Sequence, residues 1–461
     1  MQLQTIHEVL KQYWGYDTFR EPQEEIIKNI LAGKDALIIL ATGGGKSLCF
    51  QLPAIISSGL TIVISPLIAL MQDQVEGLKR KDIPAAFLNS TLLPGEYKNI
   101  LKNISKYKLL YTSPEGLQSE RLINTLKNEG ISRVVLDEDH CLSEWGHDFR
   151  PDYKRIVSRL KNYGIVSQIV AFTATATKNT REEILRCLDI QEPFISVSTF
   201  DRKNLSFGAK KFYTPLGKFL YLKKLLSGSD KSLIYCSTRD MTEEVAARLA
   251  KKFGNITGYY HAGCSQEHRK KLQEEFRTGK IKYMCATTAF GMGIDIPDID
   301  MVVYWNCPSS IEEYYQGIGR GGRDEKIQAK SWVLYGSFDI KAQKELLNEE
   351  LPSVSAIKKI LIALSKKESF NKIRDKFSVS ESIINSIELI IEEAKLISDI
   401  DKKELQFLEK KLTQITAKKS IRFEVLKKYL SFEGCKRKYI LNYFDEKGET
   451  NNCGNCSYCI K

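Results

Sequence analysis

The sequence contains no run of about 18 apolar residues, which is the length that a membrane-spanning helix needs. Its first residues, Met1 to Tyr13, lack a basic segment followed by an apolar one, so we expect no secretory signal peptide. No repeat of fixed period and no low-complexity tract is present. With 43% hydrophobic and 27% charged residues, the 461-residue chain has a globular composition, which excludes wholesale disorder, collagen and a coiled-coil rod. At about 150 residues per domain, its length predicts about three domains.

Negative charge is the scarcer kind, since 69 Lys and Arg stand against 57 Asp and Glu. The net charge of +12 indicates a polyanionic partner such as a nucleic acid. Half of this excess lies in residues 401–461, which carry 14 basic and 8 acidic side chains. Without an export signal, the eleven cysteines are not expected to form disulfides.

Two series of short apolar runs, separated by helical patterns, indicate two α/β domains built on buried parallel strands. The runs are Ala36–Leu40, Thr61–Ser65, Val134–Leu136 and Gln168–Phe172, then Ser232–Tyr235, Lys282–Ala286 and Met301–Tyr304. The polar stretch Asp201–Leu205 is predicted to join the two domains.

Beyond Lys341 the strand signal fades and helical patterns dominate. Short helices followed by a hairpin over Leu396–Leu408 would outline a winged helix, and a plain helical spacer is the alternative. We therefore predict four units, at residues 1–200, 201–345, 346–416 and 417–461.

A glycine-rich segment follows the first apolar run and opens a predicted helix. This strand–loop–helix context is typical of a P-loop, in which backbone N–H groups surround phosphate oxygens. Lys46 would reach the outer phosphates and Ser47 would bind Mg²⁺. A glycine-rich turn without a ligand is the alternative. The predicted phosphate-binding residues are Thr42, Gly43, Gly44, Gly45, Lys46 and Ser47.

Two further segments carry side chains suited to ATP hydrolysis. Asp137 and Glu138 follow a predicted strand, where Asp137 would hold Mg²⁺ through water and Glu138 would orient the attacking water. Arg320 and Arg323 lie in a glycine-rich turn near the end of the second series. If this turn faces the P-loop, Arg323 is a candidate arginine finger with Arg320 beside it. A surface loop that binds nucleic-acid backbone is the alternative.

These segments together resemble the motifs of the RecQ family of DNA helicases, within helicase superfamily 2. Residues 19–24 (FREPQE) resemble its motif 0, which implies that Gln23 reads adenine with Arg20 beside it. Residues 286–295 resemble motif V and residues 316–324 resemble motif VI, which places Asp295 and Gln316 among the expected nucleotide contacts. The resemblance covers nearly all of residues 1–340 and about 417–461, and it implies two RecA-like domains.

The stretch from Trp145 to Tyr153 (WGHDFRPDY) resembles the aromatic-rich loop of this family, which senses single-stranded DNA. Stacking of bases on aromatic faces is worth about 1–3 kcal/mol per base. Trp145 and Phe149 offer such faces, Arg150 can bind a phosphate, and His147 could relay contact toward the nucleotide. Tyr153 completes the predicted DNA-binding set. An aromatic corner of the core is the alternative.

Four cysteines near the end, Cys435, Cys453, Cys456 and Cys459, can supply the four thiolates of a tetrahedral structural zinc site. The stretch resembles the zinc-binding module of RecQ helicases. Free thiols or an iron–sulfur cluster are the alternatives.

The expected protein is thus an ATP-dependent DNA helicase that uses ATP, Mg²⁺ and structural Zn²⁺, and the resemblance implies that it moves 3′ to 5′ and acts in recombination and repair. The expected partners are single-stranded and branched DNA, with a single-strand-binding protein or recombination proteins as further candidates. We expect a monomer in the cytoplasm, nucleoid-associated if the source is bacterial, without a winged helix or a further helical DNA-binding domain after the zinc module. Asp139, Glu144 and the altered motif VI depart from the family pattern, which leaves a DNA-binding protein with a decayed motor as one alternative. The acidic segment that begins at Asp137 resembles that of RNA helicases, which leaves an RNA helicase as another.

Overall fold

The computed structural model describes residues 5–41, 43–137, 151–165, 167–288, 290, 296–350, 354–366, 368, 370–377, 384, 387, 402–448 and 452–460. Within these residues the chain forms two parallel sheets, each surrounded by helices, and a helical C-terminal region. This is the predicted α/β architecture. No helix of the described part is long and apolar enough to cross a membrane.

Seven described strands form the first sheet, in the order β3-β4-β2-β5-β6-β1-β7, and all pairings are parallel. The strands are β1 (Ala36–Ile39), β2 (Leu60–Ile64), β3 (Ala85–Leu88), β4 (Leu109–Thr112), β5 (Ile131–Asp137), β6 (Gln168–Thr173) and β7 (Phe194–Val197). The helices of this unit are α1 (Ile6–Trp14), α2 (Gln23–Leu31), α3 (Lys46–Ile56), α4 (Ile68–Lys79), α5 (Pro94–Lys102), α6 (Glu120–Lys127), α7 (Pro151–Asn162) and α8 (Lys178–Cys187).

Six described strands form the second sheet, in the parallel order β10-β11-β9-β12-β13-β8. They are β8 (Leu205–Lys211), β9 (Ser232–Tyr235), β10 (Thr257–Tyr260), β11 (Tyr283–Ala286), β12 (Met301–Tyr304) and β13 (Ala329–Tyr335). The helices are α9 (Pro215–Leu226), α10 (Arg239–Phe253), α11 (Gln266–Arg277), α12 (Ile311–Ile318) and α13 (Ser337–Glu350).

The central strands are apolar without interruption because both faces of each sheet are covered. In β1, Leu37 and Ile39 pack into one core cluster, whereas Ala36 and Ile38 point to the opposite face and pack into another. All seven predicted runs are strands. Of the six strands that were not predicted, β3, β7, β8 and β10 are sheet edges, where one side needs no partner and polar residues are tolerated.

In its described residues, the C-terminal region contains α14 (Val354–Ser365), α15 (Phe370–Phe377), α16 (Lys402–Ser431) and α17 (Lys436–Tyr443). The helical pattern predicted beyond Lys341 is found in α14, where Ile357, Ile360, Leu361 and Leu364 share one helical face and are all buried. The hairpin predicted over Leu396–Leu408 is wrong, because α16 begins at Lys402. Residues 402–431 contain no Gly, Pro, Asn or Asp, so nothing in this run favours a turn over a helix.

One buried ion pair joins helices α9 and α13 of the second unit. Lys218 Nζ lies 2.5 Å from Asp339 Oδ1, and the two side chains are only 1% and 2% exposed. Asp339 also accepts hydrogen bonds from Gly336 N and Asn306 Nδ2, at 2.8 and 3.2 Å. Burial lowers the pKa of Lys218 and raises the pKa of Asp339, and each shift is opposed by the partner's charge.

Replacing Asp339 by Ala should destabilise the protein by about 3–5 kcal/mol, because it leaves the Lys218 ammonium buried without its counter-charge. The matched control is Lys341→Ala, which breaks the exposed Lys341–Glu345 pair on α13 and should cost less than about 0.5 kcal/mol. Urea denaturation followed by the fluorescence of nearby Trp305 measures both. Equal midpoints for the two variants would contradict the expectation.

Candidate nucleotide site and cysteine cluster

The glycine-rich loop lies between β1 and α3, as the sequence predicts. Gly43 and Gly45 adopt positive φ angles of 87° and 78°, which L side chains rarely adopt. Gly44 N donates to Ala41 O at 2.9 Å and closes a tight turn. Helix α3 begins at Lys46, so its free N–H groups and the positive end of its dipole face the loop. Thr42 lies outside the described residues.

Gln23 packs directly on this loop from the start of α2. Its Nε2 donates to Gly44 O at 3.1 Å, and its Oε1 accepts from Arg20 N at 3.0 Å. The side chain is buried, and a Cβ on Gly45 would clash with Nε2. Gly45 is therefore required both for its backbone angle and for the close approach of Gln23.

Asp137 is the last residue of β5 and is buried. Since the carboxyl ends of parallel strands meet at one edge of a sheet, β5 presents Asp137 on the same edge as the loop after β1. The adjoining Glu138 and the predicted DNA-sensing residues Trp145, His147, Phe149 and Arg150 lie outside the described residues. Tyr153 is on α7, where only its backbone is described.

The arginine loop, residues 319–324, follows α12 of the second unit and crosses to the P-loop. A Cβ added to Gly43 would lie 3.5 Å from Arg323 Cγ. Arg320 lies close to Tyr235, whose pKa is raised by burial and lowered in part by the charges of Arg320 and Arg323. Two cationic side chains of the second sheet unit therefore face the glycine-rich loop of the first.

A cleft of about 920 Å³ contains most of the predicted nucleotide contacts. Both sheet units contribute to its lining, which includes Arg20, Gln23, Gly43, Gly45, Lys46, Ser47, Asp137, Arg320 and Arg323. The structure thus brings together residues that are far apart in the sequence. The arrangement suits a ligand that carries several phosphates, because cations and backbone N–H groups converge on one volume.

One predicted contact is placed differently. Gln316 does not line this cleft but a neighbouring cavity of about 270 Å³, which it shares with Thr288 and Arg320. Asp295 lies outside the described residues. The cleft is also lined by Trp14, Tyr16 and Phe19, which are not among the predicted site residues. Their closeness to Gln23 in the sequence is the signal that could have indicated them.

The four C-terminal cysteines converge, with their sulfur atoms within 4.8 Å of one another. Cys435 precedes α17, and Cys456 pairs with Phe207 in an isolated parallel β-bridge that attaches the cluster to β8. Burial raises the pKa of Cys456, but N–H groups of Cys459, Lys436 and Tyr458 outweigh it and lower the pKa to about 7. Four thiols with N–H donors fit a tetrahedral zinc ion, whose Zn–S bonds of about 2.3 Å place the sulfurs about 4 Å apart.

Comparisons with known proteins agree with this geometry. The model of the DEAD/DEAH box helicases matches residues 20–184, that of the helicase conserved C-terminal domain matches residues 217–325, and the RecQ zinc-binding model matches residues 397–460. Among solved structures, Mycobacterium smegmatis helicase Lhr bound to ssDNA and AMP-PNP is similar with a TM-score of 0.59. The two sequences are 17% identical, and the matched region covers 83% of this chain and 57% of the Lhr chain. At this identity the likeness concerns the fold alone.

Two relatives cover most of the sequence. The probable ATP-dependent DNA helicase RecS of Bacillus subtilis is 36% identical, over 98% of this chain and 92% of the relative. The ATP-dependent DNA helicase RecQ of Pasteurella multocida is 40% identical over 75% of this chain, which spans only 55% of that relative. The three family models and the nearly full-length similarity to RecS show that this chain belongs to the RecQ family of ATP-dependent DNA helicases.

Proposed function

We propose that the protein hydrolyses ATP in the interdomain cleft and uses the energy to move 3′ to 5′ along single-stranded DNA. In doing so it unwinds duplex or branched DNA in recombination and repair, acting as a monomer. The observation that carries the proposal is the position of Arg323 against Gly43 of the P-loop, with Lys46 and Asp137 in the same cleft. The direction of movement and the role in repair rest on family resemblance.

Each side chain of the cleft has a distinct task in this proposal. The N–H groups of the glycine-rich loop and the Lys46 ammonium hold the phosphates. The oxygen atoms of Ser47 and Asp137 suit Mg²⁺, which prefers oxygen ligands and supplies charge neutralisation between the phosphates when bound. Glu138, adjacent to Asp137, orients the attacking water.

Arg323 and Arg320 stabilise the charge that develops on the transferred phosphoryl group. They come from the second sheet unit, so this stabilisation depends on how the two units are placed relative to each other. Closure of the cleft on ATP and its opening after hydrolysis can therefore drive stepwise movement along a strand.

Adenine recognition is assigned to Gln23, with Arg20 beside it. Both ends of the Gln23 carboxamide already have partners, namely Gly44 O and Arg20 N. Each end keeps one further site, a second N–H on Nε2 and a second lone pair on Oε1, so an adenine can bind Gln23 while Gln23 stays hydrogen-bonded to the P-loop. The side chains of Tyr16 and Phe19, which are close to Gln23 in the sequence, also line the cleft.

DNA binding is assigned to Trp145, His147, Phe149, Arg150 and Tyr153, by resemblance to the aromatic-rich loop. Base stacking on aromatic faces is tolerant of sequence, which suits a protein that moves along a strand. The similarity in fold to Lhr, whose structure contains ssDNA and AMP-PNP, supports a DNA substrate.

Single-stranded DNA should strongly stimulate ATP hydrolysis, and Lys46→Ala should lower kcat by about 100-fold or more, because the phosphates lose their nearest cation. Steady-state ATPase assays with and without DNA measure both effects. Lys34→Ala is the matched control, since Lys34 is exposed just before β1. An unchanged rate in Lys46→Ala would contradict the P-loop assignment.

The same assay separates the rival functions. Equal stimulation by an RNA oligonucleotide would favour an RNA helicase. ATP binding without turnover, with or without DNA, would favour a DNA-binding protein with a decayed motor.

The direction of movement has its own test. Partial duplexes that carry a single-stranded tail at either the 3′ or the 5′ end of the loading strand should differ, and only the 3′-tailed duplex should be unwound. Strand displacement is read by fluorescence dequenching with ATP present, and Lys46→Ala serves as the inactive control. Displacement of the 5′-tailed duplex alone would reverse the proposed polarity.

We also assign a structural zinc ion to Cys435, Cys453, Cys456 and Cys459. The purified chain should contain one zinc ion, and Cys456→Ser should lose it and lower Tm, because metal binding stabilises small modules of this kind. Elemental analysis and thermal unfolding measure both. Cys187→Ser, a partly buried cysteine outside the cluster, should retain the metal. Iron and sulfide in place of zinc would indicate an iron–sulfur cluster.

A further inference from the structure

The connector, residues 198–204, joins β7 of the first sheet to β8 of the second. It also touches the arginine loop and residues 435–460, the C-terminal module, which contains the cysteine cluster. We propose that Arg202 and Asn204 of the connector are positioning residues, which hold the arginine loop so that Arg323 reaches the P-loop. This proposal deepens the proposed function and rests on it.

Both side chains donate hydrogen bonds to the backbone just before Arg323. Arg202 Nη2 donates to the carbonyl oxygens of Gly321 and Gly322, at 3.1 and 2.5 Å. Asn204 Nδ2 donates to the same Gly322 oxygen at 2.8 Å and to Ile327 O at 3.0 Å. The peptide that links Gly322 to Arg323 is therefore held by two donors at once.

The loop is shaped to receive these donors. Gly322 has a φ of +56°, and a Cβ there would lie 2.7 Å from Asn204 Nδ2 and 3.0 Å from the Ala329 Cβ. Gly322 N donates to Ile299 O at 2.8 Å, which fixes the other side of the residue. A glycine is thus needed for the close approach of Asn204.

The connector is itself held by the C-terminal module. Arg437 of α17 donates to Arg202 O at 2.9 Å and to Leu205 O at 2.5 Å, and its guanidinium also contacts the Asp201 carboxylate. An arginine has five donors in a rigid plane, so one side chain can fix several backbone groups. Cys435 of the cysteine cluster caps the start of α17, and Arg437 lies in the first turn of the same helix. Helix α17 therefore links the cysteine cluster to the connector.

A second set of contacts secures the start of the connector. Glu446 accepts hydrogen bonds from Thr199 Oγ1 and Phe200 N, at 2.5 and 2.7 Å. The rings of Phe200 and Phe444 stack with centroids 4.4 Å apart, and Tyr315 OH donates to Phe200 O at 2.7 Å. The connector is therefore packed on the C-terminal module and on α12 rather than exposed as a free hinge.

These contacts form a continuous path from the C-terminal module through the connector to Arg323. The path matters because a catalytic group that is misplaced by about 1 Å can lose about 100-fold in rate. The backbone oxygens to which Arg202 and Asn204 donate belong to Gly321, Gly322 and Ile327, and none of these is a predicted phosphate-binding residue. Loss of these hydrogen bonds should therefore affect turnover and leave ATP binding intact.

The test is Asn204→Asp, which keeps the shape of the side chain and removes its two N–H donors. We expect kcat for DNA-stimulated ATP hydrolysis to fall about 10- to 100-fold. The KM for ATP and the Kd of AMP-PNP should stay within about threefold of the parent values, because the binding residues are untouched. Lys203→Ala is the matched control, since its exposed side chain lies in the same connector, and it should leave kcat unchanged. A parent-like kcat in Asn204→Asp would overturn the proposal.

A double-mutant cycle decides whether Asn204 acts through Arg323. In an Arg323→Ala background, Asn204→Asp should cause no further loss beyond about twofold, because the positioned group is gone. A full additional loss would overturn the positioning role. An unchanged kcat in Arg323→Ala alone would instead overturn the catalytic role of Arg323 in the proposed function.

Should Asn204→Asp lower Tm sharply, Arg202→Gln provides the same test at a less buried position. Arg202→Lys, which keeps the positive charge and N–H donors on a single nitrogen, should restore part of kcat. Parent-like turnover in Arg202→Gln, or a fall in nucleotide affinity equal to its fall in kcat, would overturn the proposal.

Discussion

The close approach of Arg323 to Gly43 is the constraint on which the nucleotide site depends. A Cβ at Gly43 would meet Arg323 at ordinary van der Waals distance, so glycine is needed there for its φ of 87° and not to leave space for the arginine. The close approach requires the second sheet to face the first with its arginine loop at the carboxyl edge of β1 and β5. Because both units line the cleft, a single nucleotide can contact all of these residues only when the two units are correctly placed relative to each other.

The C-terminal module is far from the nucleotide cleft in the sequence, but it contacts the connector that holds the arginine loop of the cleft. Helix α17 carries Arg437 against the connector, and the isolated bridge between Cys456 and Phe207 joins the cysteine cluster to an edge strand of the second sheet. Asp445 reaches the first unit, where it accepts a hydrogen bond from Lys178 N at the start of α8. The module therefore contacts both sheet units and the segment that joins them.

Parts of the fold that depend on local patterns could be predicted closely. The apolar runs of the central strands are such a pattern, because burial on both faces removes polar residues from every position. Edge strands such as β8 (LSFGAKK) lack this continuous apolar pattern. The hairpin prediction at Leu396–Leu408 was wrong because a local pattern was ambiguous. Its polar centre at residues 401–403 resembles a turn, yet Lys402 and Lys403 are good helix formers and start a long helix that packs against α14.

The two α/β units, the glycine-rich loop before Lys46 and the set of four C-terminal cysteines could be predicted from the amino-acid sequence, because each depends on residue type and short-range spacing. The folded chain was needed to find that Arg323 meets Gly43, that Gln316 lines a different cavity from Gln23, and that Arg202 and Asn204 donate to the arginine loop. Those contacts join residues far apart in the chain. Their geometry arises from how two sheets and a C-terminal module pack together, and no periodicity or motif spacing encodes that packing.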